Sequence, residues 1–207
     1  MADVPAFENV VVNQKPKRLE LKSTVHGIIC QECFNNESIS CEGPIATCAS
    51  CQTIITDQMN SNGSQSIIEK SCNLFPNFCN ISYSVTAGDV HMGFISSCCD
   101  TDFCSNTTTE VPPQNTTENG VVCPVCFLEN AEECVADETI RCTGAETKCI
   151  NFAGKVYAQG TCNMYALQGC VTQNVCDISN IPLYPQSQLC AYHHLQCSDG
   201  NSTTNHH

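Results

Sequence analysis

Apolar and polar residues alternate along several stretches of this chain. In "QTIITDQMNSNGSQSIIEK", residues 52–70, two β-branched runs flank Asn62-Gly63. That pair suits the positive backbone angles of a tight hairpin turn. In "NISYSVTAGDVHMGFIS", residues 80–96, Ile81, Tyr83 and Val85 alternate with polar residues, and Val90, Met92 and Phe94 do the same beyond Ala87-Gly88-Asp89. A period of two predicts a half-buried hairpin there. The same alternation sets His91 opposite Val90 and Met92, on the face expected to meet solvent. No stretch carries a convincing helical stripe. The expected fold class is all-β, with short strands and long loops. No apolar run approaches the length of a membrane-crossing helix.

Cysteine dominates the composition. There are 20 in 207 residues, with no Trp. This density matches the roughly 8–10% that marks a disulfide scaffold. Ten cysteines lie in 30–104 and ten in 123–197, and each set opens with Cys-x-x-Cys, "CQEC" and "CPVC". The framework is therefore repeated. Between the sets, "SNTTTEVPPQNTTENG" has no apolar period and two prolines, which suits a solvated, extended linker. The expected organisation is an N-terminal extension at 1–27, strand-like or disordered, and a first domain at 28–104. A glycosylated linker at 105–120, a second domain at 121–197 and a tail at 198–207 complete it. Domains this small bury little apolar surface, so bridges are expected to stabilise them.

Charge narrows the partners. From residue 28 onward there are 18 acidic and 4 basic side chains, a net −14. So few cations exclude a phosphate-backbone binder, and no nucleic acid partner is expected. The acidic surface suits solubility or the steering of a basic partner. Six Asn-x-Ser/Thr sequons, at Asn36, Asn62, Asn80, Asn106, Asn115 and Asn201, point with the cysteines to an oxidising secretory route. Residues 1–27 show no secretory leader, because the basic cluster Lys15, Lys17, Arg18, Lys22 follows the apolar run. No hydrophobic tail follows Cys197, so no lipid-anchor signal is read.

The first repeat, with its opening Cys-x-x-Cys, five intermediate cysteines and the ending "CCDTDFC" close to Asn106, resembles the lymphocyte antigen 6/urokinase receptor superfamily. The resemblance implies the three-finger (snake-toxin-like) fold in two domains. It implies the pairing Cys30–Cys51, Cys33–Cys41, Cys48–Cys72, Cys79–Cys98 and Cys99–Cys104. On that pairing the neighbours Cys98 and Cys99 serve different partners. Ser105 intervenes before Asn106, where the family has Asn directly after the last cysteine. In the second repeat, "NGVVCPVCFLENAEECVADETIRCTGAETKCINFAG" and "QGCVTQNVC" are similar to gamma-type phospholipase A2 inhibitors and their two-domain relatives. By that analogy Cys123–Cys149, Cys126–Cys134 and Cys142–Cys170 pair. Cys162, Cys176, Cys190 and Cys197 stay open: Cys176 takes Cys190 or Cys197, and Cys162 takes the other.

The residues carry no signature of catalysis. No Ser/His/Asp set, phosphate loop or calcium loop is present. The Cys-x-x-Cys pairs lack the spaced histidines of a zinc site and the βαβ setting of a redox motif. His193-His194 would point to opposite faces of a strand and chelate one ion poorly, so they are read as surface-loop residues. The expectation is no catalytic, cofactor-binding or metal-binding residue, and a secreted, non-enzymatic protein that binds another extracellular protein. The resemblance names a secreted phospholipase A2 as partner, blocked by occlusion. The alternatives are a receptor-like or adhesion module at the cell surface, or a self-assembling extracellular protein. In the last, "AFENVVVNQ" near the N-terminus would add to a neighbour's sheet edge and give a homo-oligomer.

Overall fold

The computed structural model describes residues 27–61, 63–73, 76–106, 113–158, 161–177 and 188–202. The N-terminal extension, apart from Gly27, lies outside them, as do Asn62 and the side chains of Asn106, Cys190 and His193. The first half holds β1 (Ile28–Gln31), β2 (Cys33–Asn35), β3 (Ile45–Cys48), β4 (Cys51–Asn60), β5 (Gly63–Cys72), β6 (Ile81–Ala87) and β7 (Val90–Cys99). The second holds β8 (Glu118–Glu129), β9 (Glu138–Thr143), β10 (Lys148–Ala158), β11 (Thr161–Val171), helix α1 (Gln173–Asp177), β12 (Gln188–Asp199) and β13 (Asn201–Ser202). The chain is mostly β-strand and rich in disulfides, a three-finger-like build.

Both hairpins form at their turn signals. Asn60 pairs with Gly63, which takes φ +138°, and β4 and β5 then run antiparallel to Cys51 and Cys72. Ala87 pairs with Val90 across Gly88, whose φ of +63° is open to glycine at no steric cost. The strands are longer than expected, ten residues each in β4, β5 and β7. Once each hairpin is paired on both sides in a wider sheet, pairing persists along its whole length. Among the described residues, one α-helix, the five residues of α1, and two three-residue 3-10 helices, Pro76–Phe78 and Cys104–Asn106, interrupt the all-β pattern. The segments expected as linker and tail are partly strand: β8 starts at Glu118, β12 runs to Asp199, and β13 pairs with Val121 and Val122.

An 11-stranded sheet follows the order β12-β10-β11-β6-β7-β4-β5-β2, with β8, β9 and β13 off that path, and β1 and β3 form a separate pair. Its continuity depends on β11. Tyr165 to Gln168 pair with β8, and then Cys170 and Val171 pair with Thr86 and Val85 of β6. Between them, a Cβ on Gly169 would lie 2.0 Å from the Thr86 carbonyl oxygen. Only glycine admits β6 at that distance.

This seam changes the expected picture of separate, thin cores. The largest apolar cluster joins Phe78, Tyr83, Val85, Met92 and Phe94 of the first half to Ile150, Phe152, Leu167, Val171 and Val175 of the second. Tyr83 and Phe94 stack at 4.6 Å. Each fully buried aromatic or aliphatic side chain here contributes about 1.5–3 kcal/mol.

Sulfur packs elsewhere. The bridges described are Cys30–Cys51, Cys33–Cys41, Cys48–Cys72, Cys79–Cys98, Cys99–Cys104, Cys123–Cys149, Cys126–Cys134, Cys142–Cys170 and Cys176–Cys197. Cys162 is also disulfide-bonded. Each bridge described joins cysteines of the same half.

Candidate functional site

The chemistry-bearing residues gather in two places, one buried and one exposed. The buried place is the polar face of β6. Period two reads Ser82, Ser84 and Thr86 as facing water. Ser84 and Thr86 are half-buried there against the second half, while Ser82 stays exposed. Asn174 Nδ2 donates to the Ser82 carbonyl at 2.7 Å, the Ser84 N–H donates to Thr172 Oγ1 at 3.2 Å, and the Thr172 N–H donates to the Ser84 carbonyl at 3.1 Å. Glu146, only 2% exposed, accepts at Oε1 from Ser84 Oγ at 2.8 Å and Thr86 Oγ1 at 3.0 Å. His91 closes the group, with Nδ1 2.7 Å from Thr86 Oγ1 and 3.5 Å from Glu146 Oε1. It is therefore part of the seam, not the solvent-facing residue expected from the alternation.

A hydroxyl, an imidazole and a carboxylate in contact invite comparison with a nucleophilic triad. That mechanism needs the hydroxyl on one ring nitrogen and the carboxylate on the other. Here both sit at Nδ1, and the carboxylate itself binds the hydroxyl. The arrangement holds two halves together and activates no nucleophile.

The exposed place is the loop between β8 and β9. The Cys126–Cys134 bridge pins it. Gln168 Nε2 donates to the Cys134 carbonyl at 2.6 Å, and the Asn130 N–H donates to the Met164 carbonyl at 2.7 Å. Asn130 takes a left-handed φ of +58° to make that turn, a conformation asparagine tolerates better than most residues. Outward from these anchors, Val135 is 80% exposed and Leu128 is half-exposed. Glu129, Glu132, Glu133, Asp137 and Glu138 are exposed around them, and the first cation after them, Arg141, is paired with Glu118 at 3.1 Å. Leu128 and Glu129 end β8, Glu138 opens β9, and Val135 with the other three carboxylates lies in the loop between them, so two exposed apolar side chains stand in one acidic stretch.

The thiol groups that approach one another, Cys51 with Cys99 and Cys104 and Cys123 with Cys142 and Cys170, are consumed in disulfides and have no thiolate to offer a metal. His193 and His194 lie in β12, not in a surface loop. The ring of His194 meets Asn151 Oδ1 at 2.9 Å. Asn36, Asn80, Asn115 and Asn201 are exposed. Among the four cysteines left open, α1 brings Cys176 to Cys197. The seam residues escaped sequence reasoning. Glu146 sits in "GAETKC", which reads as an ordinary acidic turn, and its partners lie some 60 residues away.

No family model matches the chain. It is 27% identical over 150 residues to protein RoBo-1 of Rattus norvegicus, covering 72% of this chain and 60% of that protein. The chain thus spans less than two thirds of that relative. It is 29% identical over 157 residues to the phospholipase A2 inhibitor 31 kDa subunit of Naja kaouthia, covering 69% of this chain and 78% of that protein. Against the solved structure of mouse TEX101 the TM-score is 0.37 at 14% identity, over 84% of this chain and 99% of that one. The relatives in sequence link the chain, at the level of the family, to the lymphocyte antigen 6/urokinase receptor superfamily. They support an extracellular location, and the chain is non-catalytic.

Proposed function

We propose that the chain is a secreted binding protein of two three-finger units, 28–104 and 121–197, which inhibits a secreted phospholipase A2 by covering it. The observation that carries this reading is the pinned loop between β8 and β9, with Leu128 and Val135 exposed among five carboxylates. A loop already held by a bridge loses little freedom on docking, so more of its contact energy appears as affinity. Its charge favours a basic enzyme surface. The likeness to a phospholipase A2 inhibitor subunit supplies the enzyme class. On the same reading, Asn36, Asn80, Asn115 and Asn201 carry glycans, which peptide mapping before and after enzymatic deglycosylation would locate.

The test uses the purified glycoprotein against a panel of basic and acidic secreted phospholipases A2, with calorimetry for binding and vesicle hydrolysis for activity. Micromolar or tighter binding to a basic member, with loss of hydrolysis in proportion to occupancy, is the expected result. No binding to any member at micromolar concentration rejects the reading.

A further inference from the structure

The carboxyl of Glu146 is unequal in its two oxygens. Oε1 accepts from Ser84 and Thr86. Oε2 is buried and has no hydrogen-bond partner. Thr86 has a single hydroxyl proton, and donating it to Oε1 leaves His91 Nδ1–H to donate to Thr86. A bare carboxylate oxygen shut away from water is costly. A proton on Oε2 removes that charge and disturbs neither bond on Oε1.

Few other charges reach this place. β6 and β11 carry none, and on β7 the only titratable group is His91 itself. Asp57 of β4 acts on His91. Asp89, in the turn before β7, is held by Ser61 Oγ at 2.8 Å. Around the second half, Glu118 pairs with Arg141 and Lys148 with Asp199, while Lys155 and Asp177 are exposed.

We propose that Glu146 and His91 share one proton across the seam, carried on Glu146 Oε2 while β6 and β11 are paired and on His91 Nε2 once they part. On opening, the Oε2–H bond is lost and an Nε2–H bond forms, leaving a carboxylate and an imidazolium in water. The seam then opens with no net uptake or release of protons in the mildly acid range.

The directions of titration agree with this. Burial raises the Glu146 carboxyl above its ordinary range, against the two hydroxyl bonds, and burial lowers the His91 imidazole, against Asp57. The raised acid stabilises the closed seam fully below the free carboxyl range, and that contribution is lost as pH rises through its folded value. The lowered imidazole stabilises it above the free imidazole value, and that contribution is lost as pH falls through its folded value. Between roughly pH 4.5 and 6.5, the free values of the two groups, the slopes oppose and offset each other.

Hydrogen exchange of the Ser84 and Thr172 amides reads the seam. Amides of the β4–β5 hairpin serve as reference, and rates are corrected for intrinsic pH dependence. In the unmodified protein the relative protection should be flat from about pH 4.5 to 6.5. In Glu146→Gln, opening takes up a proton, so protection should fall up to about tenfold per pH unit as pH drops. In His91→Gln, opening releases a proton, so protection should fall with the same limiting slope as pH rises. The double variant should be flat again. A slope near tenfold per unit in the unmodified protein, or flat profiles in both single variants, would overturn the proposal. The unmodified protein also gives a direct reading that needs no variant. At pH 6 the carbon-13 shift of the Glu146 carboxyl should report a protonated acid and the His91 ring a neutral imidazole. A charged pair there would also overturn it.

Discussion

The base of the first half and the seam between the halves are both dry, yet they are built of different matter. At the base, Cys30, Cys48 and Cys51 are buried with Cys72, Cys99 and Cys104 packed on them. At the seam, aromatic and aliphatic side chains of β6, β7, β10, β11 and α1 interdigitate. The bridges are short in sequence, from 5 to 28 residues among those described, and each stays within its half. The side-chain hydrogen bonds across the seam span 60 to 92 residues. Covalent links therefore shape each half, and non-covalent packing sets one against the other. The two kinds of region should fail differently, and three variants separate them.

The largest effect is expected at the seam. Phe94 is 2% exposed and stacked on Tyr83, so Phe94→Ala should cost about 3–5 kcal/mol in guanidinium unfolding. The disulfides should remain intact by mass, because the bases do not depend on that ring. Next comes the bridge that ties α1 to β12. Replacing Cys176 and Cys197 together by Ala should cost about 2–4 kcal/mol. Exchange should then loosen β12 before β4 and β5, whose own bridges are unchanged. The smallest of the three is Gly169→Ala, where the new methyl meets the Thr86 carbonyl. It should cost about 1–3 kcal/mol, with protection lost first at Thr172 and Ser84. If the same change loosened β4 and β5 first, the distinction between base and seam would collapse.

The hairpins were legible because their information is local. Gly63 and Gly88 each mark a turn whose flanking residues then pair in order. The alternation in β6 and β7 placed Tyr83, Val85, Met92 and Phe94 inside, where they are. The seam was not legible for the converse reason. Small hydroxyls on a strand look the same whether they face water or a second sheet, so Ser84 and Thr86 gave no sign of Glu146. His91 was misread with them, since its strand position shows a face but not what covers that face. The partner of Cys176 could not be chosen from spacing, because it depends on where α1 sets that sulfur against β12. Strand length was underestimated because pairing on both sides of a hairpin is a property of the assembled sheet. The acidic stretch around the β8–β9 loop was visible only as net charge, and the exposure of Leu128 and Val135 within it was not visible at all, because burial depends on what packs over each position.

The first half begins and ends at one spot. The Ile29 N–H donates to Asp102 Oδ1, and the Phe103 N–H donates to the Ile29 carbonyl, both at 2.8 Å. Cys99–Cys104 locks the returning chain in that position. A protease nick at the Gly88 turn would therefore leave the two ends of this half still fastened to each other, with Cys79–Cys98 holding the severed strands.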